Sequence, residues 1–406
     1  MSELSYQVGD VGFAPNISAL AYFNHAALTP PSPLVLQAVT DCLSAFAEVG
    51  SEAFMSVVEA RGELKRSLAR LFELDERYAD SFALVPNTTS GLQAIAHALP
   101  WRRGERVLLF NGEFPTNVIP WLQASERHEL EICWASLNPL MDPSGADWSE
   151  VDAQLARGVK LVCVSAVQFQ TGLRVPLTEL ADRCERWGAE LCVDGIQACG
   201  AVPLPLERVH YLASGGHKWM MAVEGAGFMY VHPDKVAQLT PQSAGWLSLT
   251  EPLDFLFNPA APLAYHRPAR PEVSAFEGGA QASVCYAALH ASVQALNAVR
   301  GGSNRVGVQA IYHHINTLNN RLEEGLIALG FESLRCPDVA RRSGILSLKP
   351  RPKHGGVEAI PELVSRWGSR GFVCATPNAC LRISPHWYNS LEQVEQALEI
   401  ASDTLN

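Results

Sequence analysis

Leu191-Cys192-Val193-Asp194-Gly195-Ile196-Gln197 is a short apolar run that ends in an acid and enters a glycine turn. An apolar run of this length, bounded by a turn signal, is the pattern of a strand buried on both faces, as in a parallel sheet covered by helices. Downstream stands Ala213-Ser214-Gly215-Gly216-His217-Lys218-Trp219-Met220, with a lysine in a Gly-rich turn at a strand end. An acid at one strand end and a lysine near the next place two ionisable groups where sheets of this kind bind ligands.

Outward from this pair, residues 60 to 235 alternate strand and helix patterns. Ser56 to Phe72 has the apolar spacing of an amphipathic helix, Phe82-Ala83-Leu84-Val85 reads as a strand, and Ser90 to Leu99 as a helix. Strand patterns recur at Arg106–Phe110, Glu131–Ala135, Lys160–Ser165, Glu190–Val193 and Gly227–Val231, with a helix over Leu177–Trp187. This alternation predicts an α/β fold with a mainly parallel sheet flanked by helices. Residues 240 to 275 are rich in Pro and aromatics and read as an irregular segment, a candidate subunit contact. A long helical pattern begins near residue 282 and runs through Gly301-Gly302 into Arg305–Leu329. The final stretch reads as a smaller α+β unit: strand Gly344–Leu348, helix Glu358–Arg370, strand Cys380–Ser384, helix Leu391–Leu405. The expected division is an N-terminal segment, 1–30, packing with the small domain and the site; a large α/β domain, 31–280; and a small α+β domain, 281–406.

Composition narrows the function classes. At 406 residues the chain has ample core for two or three domains, and a net charge of −11 gives no reason to expect nucleic acid or an anionic membrane as partner. No run of about 18 apolar residues and no export signal is read, so no membrane partner is expected. Ten cysteines are scattered without a Cys-x-x-Cys pair, the usage of reduced, buried thiols in a cytoplasmic protein. His313-His314 is a poor metal site because adjacent side chains on a helix diverge; no metal is read.

Three constellations carry chemistry. Lys218 is placed to form an imine with an aldehyde cofactor, and Asp194 to keep that cofactor's ring nitrogen protonated, the two demands of pyridoxal 5'-phosphate. Alone, each also fits an ordinary role, Lys218 as a solvated lysine and Asp194 as a helix cap. Pro86-Asn87-Thr88-Thr89-Ser90-Gly91 sets amides and hydroxyls at a helix N-terminus, which suits a phosphate and equally suits plain capping. No Gly-x-Gly-x-x-Gly or Walker lysine accompanies it, which disfavours a dinucleotide or nucleoside triphosphate. Gln197 and Gln168 can reach a phenolic oxygen or serve their own turns. Phe114, in Gly112-Glu113-Phe114-Pro115-Thr116-Asn117, fits an aromatic stacked on the cofactor ring, or ordinary core.

The ordered set Thr88-Thr89, Asp194-x-x-Gln197 and His217-Lys218 resembles the class V aminotransferase family of fold-type I pyridoxal-phosphate enzymes, which includes cysteine desulfurases, cystine lyases and isopenicillin N epimerase-like proteins. Tyr22-Phe23-Asn24-His25-Ala26-Ala27 looks like the family's entry segment near the substrate. Leu381-Arg382-Ile383-Ser384-Pro385-His386-Trp387-Tyr388-Asn389 matches a run whose arginine grips the substrate carboxylate. The resemblance implies a seven-stranded sheet, a homodimer with sites near the subunit boundary, Lys218 as the cofactor-bearing residue, His217 beside the phosphate, and a small amino acid as substrate held by Arg382, Asn24 and His25. Trp246, His386 and Trp387 are further candidates for the pocket lining.

Three departures bear on that expectation. Gly215 stands where relatives often have a phosphate-binding hydroxyl, and Ala280, in Phe276-Glu277-Gly278-Gly279-Ala280-Gln281, where many have a threonine donated by the partner subunit. Phe114 replaces the stacking histidine of desulfurases, and a phenyl ring shuttles no protons. Cys374 is the thiol nearest Arg382 in sequence, without the motif that surrounds a desulfurase nucleophile. Phe114 therefore favours transamination, with C–S lyase or desulfurase chemistry, epimerisation, and a non-catalytic binding protein on the same scaffold as alternatives.

Overall fold

The computed structural model describes residues 4–258 and 260–405. Seven strands form the large sheet: β1 (Phe82–Val85), β2 (Arg106–Phe110), β3 (Glu131–Ala135), β4 (Leu161–Ser165), β5 (Glu190–Asp194), β6 (Tyr211–Gly215) and β7 (Gly227–Val231). Their order is β1-β7-β6-β5-β4-β2-β3. The five strands from β6 to β3 are parallel, and β7 runs antiparallel to both β1 and β6. Ser165, Asp194 and Ala213 stand abreast across β4, β5 and β6, so these strands finish level at one edge of the sheet.

Side-chain alternation divides the strands between two cores. Leu108, Phe110, Val162, Val164, Leu191, Val193 and Leu212 face one side, against helices α2 (Phe54–Leu71) and α6 (Leu177–Trp187). Val107, Leu109, Cys163, Cys192, Tyr211 and Ala213 face the other, against α3 (Thr88–Ala98) and α4 (Ile119–His128). Both faces being covered, the strands read in sequence as unbroken apolar runs. Edge strand β3 is the exception, with Trp134 exposed.

A second unit holds the antiparallel sheet β8 (Phe331–Ser333), β9 (Leu346–Pro350) and β10 (Leu381–Ile383), with α9 (Ile360–Ser369) and α10 (Leu391–Leu405). Its core also takes in Ala21 and Phe23, because Ala21–Tyr22 pairs in parallel with Phe372–Val373. The helical pattern expected to run through Gly301-Gly302 is broken into α7 (Ser283–Ala298) and α8 (Gly307–Ala328). Helix α7 ends because Val299 turns extended; Val299–Arg300 then pairs with Tyr6–Gln7, and Ser303, Asn304 and Gly307 adopt positive φ before α8 begins. Helix α7 packs on α2 and α1 (Pro33–Val49). Within α8, Val308, Ile311 and Ile315 belong to the large core, whereas Leu318, Leu322 and Leu326 belong to the small one. The change from one core to the other thus falls inside a helix, between Ile315 and Leu318. Arg341 ties the units together: buried, it donates from Nη2 to Asp142 O at 2.8 Å and from Nη1 to Leu140 O. No helix among the described residues is long and apolar enough to cross a membrane.

Helix α3 approaches β6 closely because residue 91 is glycine: a Cβ there would lie 2.7 Å from Cβ of Ala213. Gly91→Ala should push α3 off the sheet and destabilise the protein by about 1–3 kcal/mol, measurable as a lowered midpoint in urea unfolding.

Candidate active site

The level ends of β4, β5 and β6 set the positions of three groups. Lys218 follows β6 in a turn closed by Gly216 N–H to Ala226 O, 2.8 Å, and Met221 N–H to Lys218 O, 2.9 Å. Its neighbour Trp219 is fully buried and donates from Nε1 to Gln197 Oε1 at 2.8 Å. From the N-terminal segment, Thr29 donates its hydroxyl to Lys218 O at 2.6 Å and its N–H to His217 O at 2.9 Å. The backbone of the lysine is thereby clamped while its Nζ stays free to react. Burial pulls the Lys218 ammonium down to about 8; Asp194 opposes that shift and Arg382 adds to it.

Asp194 ends β5, 1% exposed. Its Oδ1 accepts from Ile196 N–H at 2.9 Å, whereas Oδ2 has no partner. Burial pushes its carboxyl up to about 6 against the Ile196 hydrogen bond and Lys218. Phe114 stands over the lysine, its ring centroid 5.8 Å from Nζ. Arg382, on β10, is buried and donates from Nη1 to Phe169 O at 3.0 Å, while Nε has no partner. Burial brings this guanidinium down to about 10. Asn24 bridges to Ser384 on the strand continuing from Arg382, and its Oδ1 is also buried without a partner.

At the other end of the site, Asn87 caps α3 by accepting from Ser90 N–H at 2.9 Å. Thr88 Oγ1 accepts from Gly215 N–H at 2.9 Å, and Thr89 Oγ1 lies 3.0 Å from Thr116 Oγ1. Gly215 therefore supplies an amide to the α3 junction in place of a hydroxyl. A Cβ on it would press on the His217 ring at 3.2 Å and on Ile196 at 3.3 Å. His217 is half-buried and its imidazole is held below the usual range, first by burial and then by Lys218.

The remaining residues singled out from sequence are spent in other ways. His25 donates from Nδ1 to Ser384 O at 2.8 Å and lies 2.8 Å from the Tyr388 hydroxyl through Nε2; burial lowers it to about 4. Gln168 folds onto its own turn, its Nε2 donating to Gly112 O and its Oε1 accepting from Gln170 N–H and Thr171 N–H. Gln197 bridges Ala26 O and the Trp219 indole, which leaves one amide N–H of this glutamine uncommitted. His386 and Trp387 are fully buried, bonded to Trp219 O and Met221 Sδ. Trp246 lines a separate apolar cavity with Leu249, Phe255 and Leu263. Cys374 is packed in the small core, where burial raises its thiol well above the usual range. Residues absent from the sequence reading also converge here. Glu113 accepts from both the N–H (2.7 Å) and the hydroxyl of Ser165, and burial pushes its carboxyl up to about 7. It shares the Gly112–Asn117 run with Phe114 and Thr116, so the signal was an acid next to the stacking candidate.

A model of the family described as Aminotransferase class-V matches residues 21–397. The chain belongs to that family. Among its relatives, the Bacillus subtilis (strain 168) protein named uncharacterized aminotransferase YcbU is 23% identical over 95% of this chain and 94% of its own. A probable cysteine desulfurase of Methanothermobacter thermautotrophicus is 23% identical over 91% of each chain, and the isopenicillin N epimerase of Streptomyces clavuligerus is 31% identical over 45% of this chain and 46% of its own. The solved complex of the cystine C–S lyase C-DES with cysteine persulfide superposes with a TM-score of 0.80 at 24% identity, over 96% of this chain and 99% of that one. These structural likenesses establish the fold.

The class-V aminotransferases are pyridoxal-phosphate-dependent enzymes, and the residues here fit that cofactor. Asp194 Oδ2 is a buried carboxylate oxygen awaiting a donor, which a protonated ring nitrogen supplies. The α3 N-terminus with Thr88, Thr89 and Thr116 offers amides and hydroxyls to a phosphate. Phe114 is 43% exposed and presents a ring face to Lys218 Nζ.

Asp194 also gives a pH signature. A carboxyl raised from 3.8 to about 6 by folding contributes stability that is complete at low pH and is lost as pH climbs through about 6. Cofactor-free wild type should lose up to ~3 kcal/mol through this group between pH 4 and 7, and cofactor-free Asp194→Asn should not. His25 and His210, lowered by burial, act in the opposite direction and Glu113, raised to about 7, in the same one; all three remain in Asp194→Asn, so the difference between the two proteins reports Asp194 together with its push on Glu113. Urea unfolding of both proteins at pH 4 and pH 7 measures the difference.

Proposed function

We propose that this class-V enzyme transfers the amino group of a small α-amino acid, with Lys218 as its proton carrier. Arg382 carries the reading for the substrate. It is buried, is in no ion pair among the described residues, and keeps Nε without a partner, so it calls for an external carboxylate that its planar fork can grip. Asn24 Oδ1 lies on the neighbouring strand as an acceptor to orient the amino acid. Pyridoxal phosphate, when bound, supplies the electron sink that lets a proton leave Cα. Lys218, lowered to about 8, reaches the neutral form near physiological pH, and its Nζ takes that proton and holds it for return.

The choice among reactions rests on Phe114 and Cys374. A two-base epimerisation needs a second proton carrier facing the lysine, and a phenyl ring occupies that place. Desulfuration needs a thiolate, and Cys374 is a packed, protonated thiol. Transamination asks only for one base that takes and returns a proton. A C–S lyase reaction is the second reading, since elimination also needs no enzyme thiol.

The holoenzyme should lose its visible cofactor absorbance on addition of amino acid, release keto acid stoichiometrically, and recover the absorbance when an α-keto acid is added. Lys218→Ala should slow amino-acid consumption by on the order of 10²–10⁴-fold. Continuous pyruvate and sulfide from cystine or cysteine without any acceptor would replace transamination by the lyase reading.

The same proposal includes a homodimer. Helix α1 buries only Val35, leaving Leu36, Leu43 and Val49 exposed, and Phe257 and Tyr265 add apolar surface from the 240–275 segment. Large apolar side chains left exposed in this number fit a subunit interface. Leu43→Glu should convert a dimer into a monomer in sedimentation velocity; a wild-type monomer at micromolar concentration would refute the dimer.

A further inference from the structure

We infer that Phe169, braced against Phe114, forms an apolar side wall between Arg382 and Lys218, which restricts the substrate to amino acids with uncharged, apolar side chains, unbranched alkyl or thioether. This inference rests on the reading of Arg382 as the carboxylate grip. Phe169 touches both ends of the site. Its carbonyl accepts from Arg382 Nη1 at 3.0 Å, and its ring meets Phe114 edge-on, centroids 5.3 Å apart at 80°. Phe114 in turn stands 5.8 Å from Lys218 Nζ. A ligand held by Arg382 and reacting at Lys218 has to lie along Phe169.

The wall is rigid and carries no polar side chain of its own segment. Gln168, Gln170 and Thr171 bond to one another: Gln168 Oε1 accepts from both backbone amides, 2.7 Å each, and from the Thr171 hydroxyl at 3.2 Å. The small unit holds the turn from behind, with Ser343 Oγ donating to Gly172 O at 2.7 Å and Ser347 Oγ donating to Gln170 O. Gly172 has φ +75°, and a Cβ on it would lie 2.5 Å from Ile345 O, so the turn cannot take another residue here without moving. Phe169 is thus presented with its backbone fixed and its ring half-buried.

Charge supports the same restriction. The charged groups acting on Lys218 are Asp194 and Arg382, and Asp194 is the partner of the ring nitrogen. With Arg382 on the α-carboxylate, a side-chain carboxylate would lie against the Phe169 ring without a cation, which is costly. A hydroxyl would likewise lack a partner there, whereas alkyl groups bury favourably and a thioether sulfur sits well at an aromatic edge.

The holoenzyme titrated with L-methionine, L-norleucine, L-serine and L-aspartate, followed by the shift in cofactor absorbance, tests this. L-Methionine and L-norleucine should bind at least about tenfold tighter than L-serine and L-aspartate, the discrimination expected of a methylene or more in an apolar pocket. Phe169→Ala should shrink that ratio at least fivefold, and Phe169→Leu should retain most of it while confirming that the turn still folds. Equal binding of all four, no binding of any, or an unchanged ratio in Phe169→Ala would overturn the wall. Transamination of L-aspartate as readily as L-methionine would keep the proposed reaction and remove the wall. Selective L-methionine binding without amino transfer would do the reverse.

Discussion

A carboxylate taken out of water with one oxygen satisfied and the other bare is expensive for a fold to hold, and Asp194 is such a group. The features around it make that state tolerable. Strand β5 is buried on both faces and ends level with β4 and β6, so Asp194 emerges where the strands' C-termini open onto the site. Ile196 N–H engages one oxygen, and Lys218, in the turn after β6, lies close enough to offset part of the burial. Ser165, abreast of Asp194, is held by Glu113, a second carboxyl raised by the same low-dielectric surroundings. The Asp194 charge itself adds to the rise of Glu113, as expected of two carboxyls in one dry corner.

The site needs both units because its charges come from different ones. Lys218 and Asp194 belong to the large sheet, Arg382 to the small one, and Asn24 to the N-terminal segment that completes the small core. The turn after β4 joins them. Its backbone carbonyls receive Arg382, Ser347 and Ser343 from the small unit, while Gln168 anchors it to Gly112 in the run that carries Phe114. Position and orientation at the reacting centre are in this way set by hydrogen bonds to main chain, which substitutions of surface side chains leave intact.

Much of this was legible in the sequence, and the parts that were not have physical reasons. The alternating apolar runs at Arg106–Phe110 and Glu190–Val193 announce strands because both faces are buried, so six of the seven strands of the large sheet follow from local pattern, and the count of seven from the family resemblance. Arg382 stood out through its surrounding run. The strand Tyr211–Gly215 was harder to see, since Ala213, Ser214 and Gly215 are small where α3 presses close, and close packing removes the bulky residues by which strands are recognised. Phe169 carries no motif; only its carbonyl on Arg382 and its ring on Phe114 give it a place. His25 shows the opposite limit: a histidine near the site in sequence turns out to be a neutral strut between Ser384 and Tyr388. Which atoms a polar side chain satisfies is a tertiary property that spacing does not encode.

Helix α8 contributes residues to both hydrophobic cores along one continuous backbone. Loosening either core strips one end of the same helix of its packing, and the short strand Val299–Arg300 just before it is tied to the N-terminal segment. The two units are therefore thermodynamically linked rather than strung together, and heat should melt the chain in one cooperative transition in which the surroundings of Lys218 and of Arg382 are lost together.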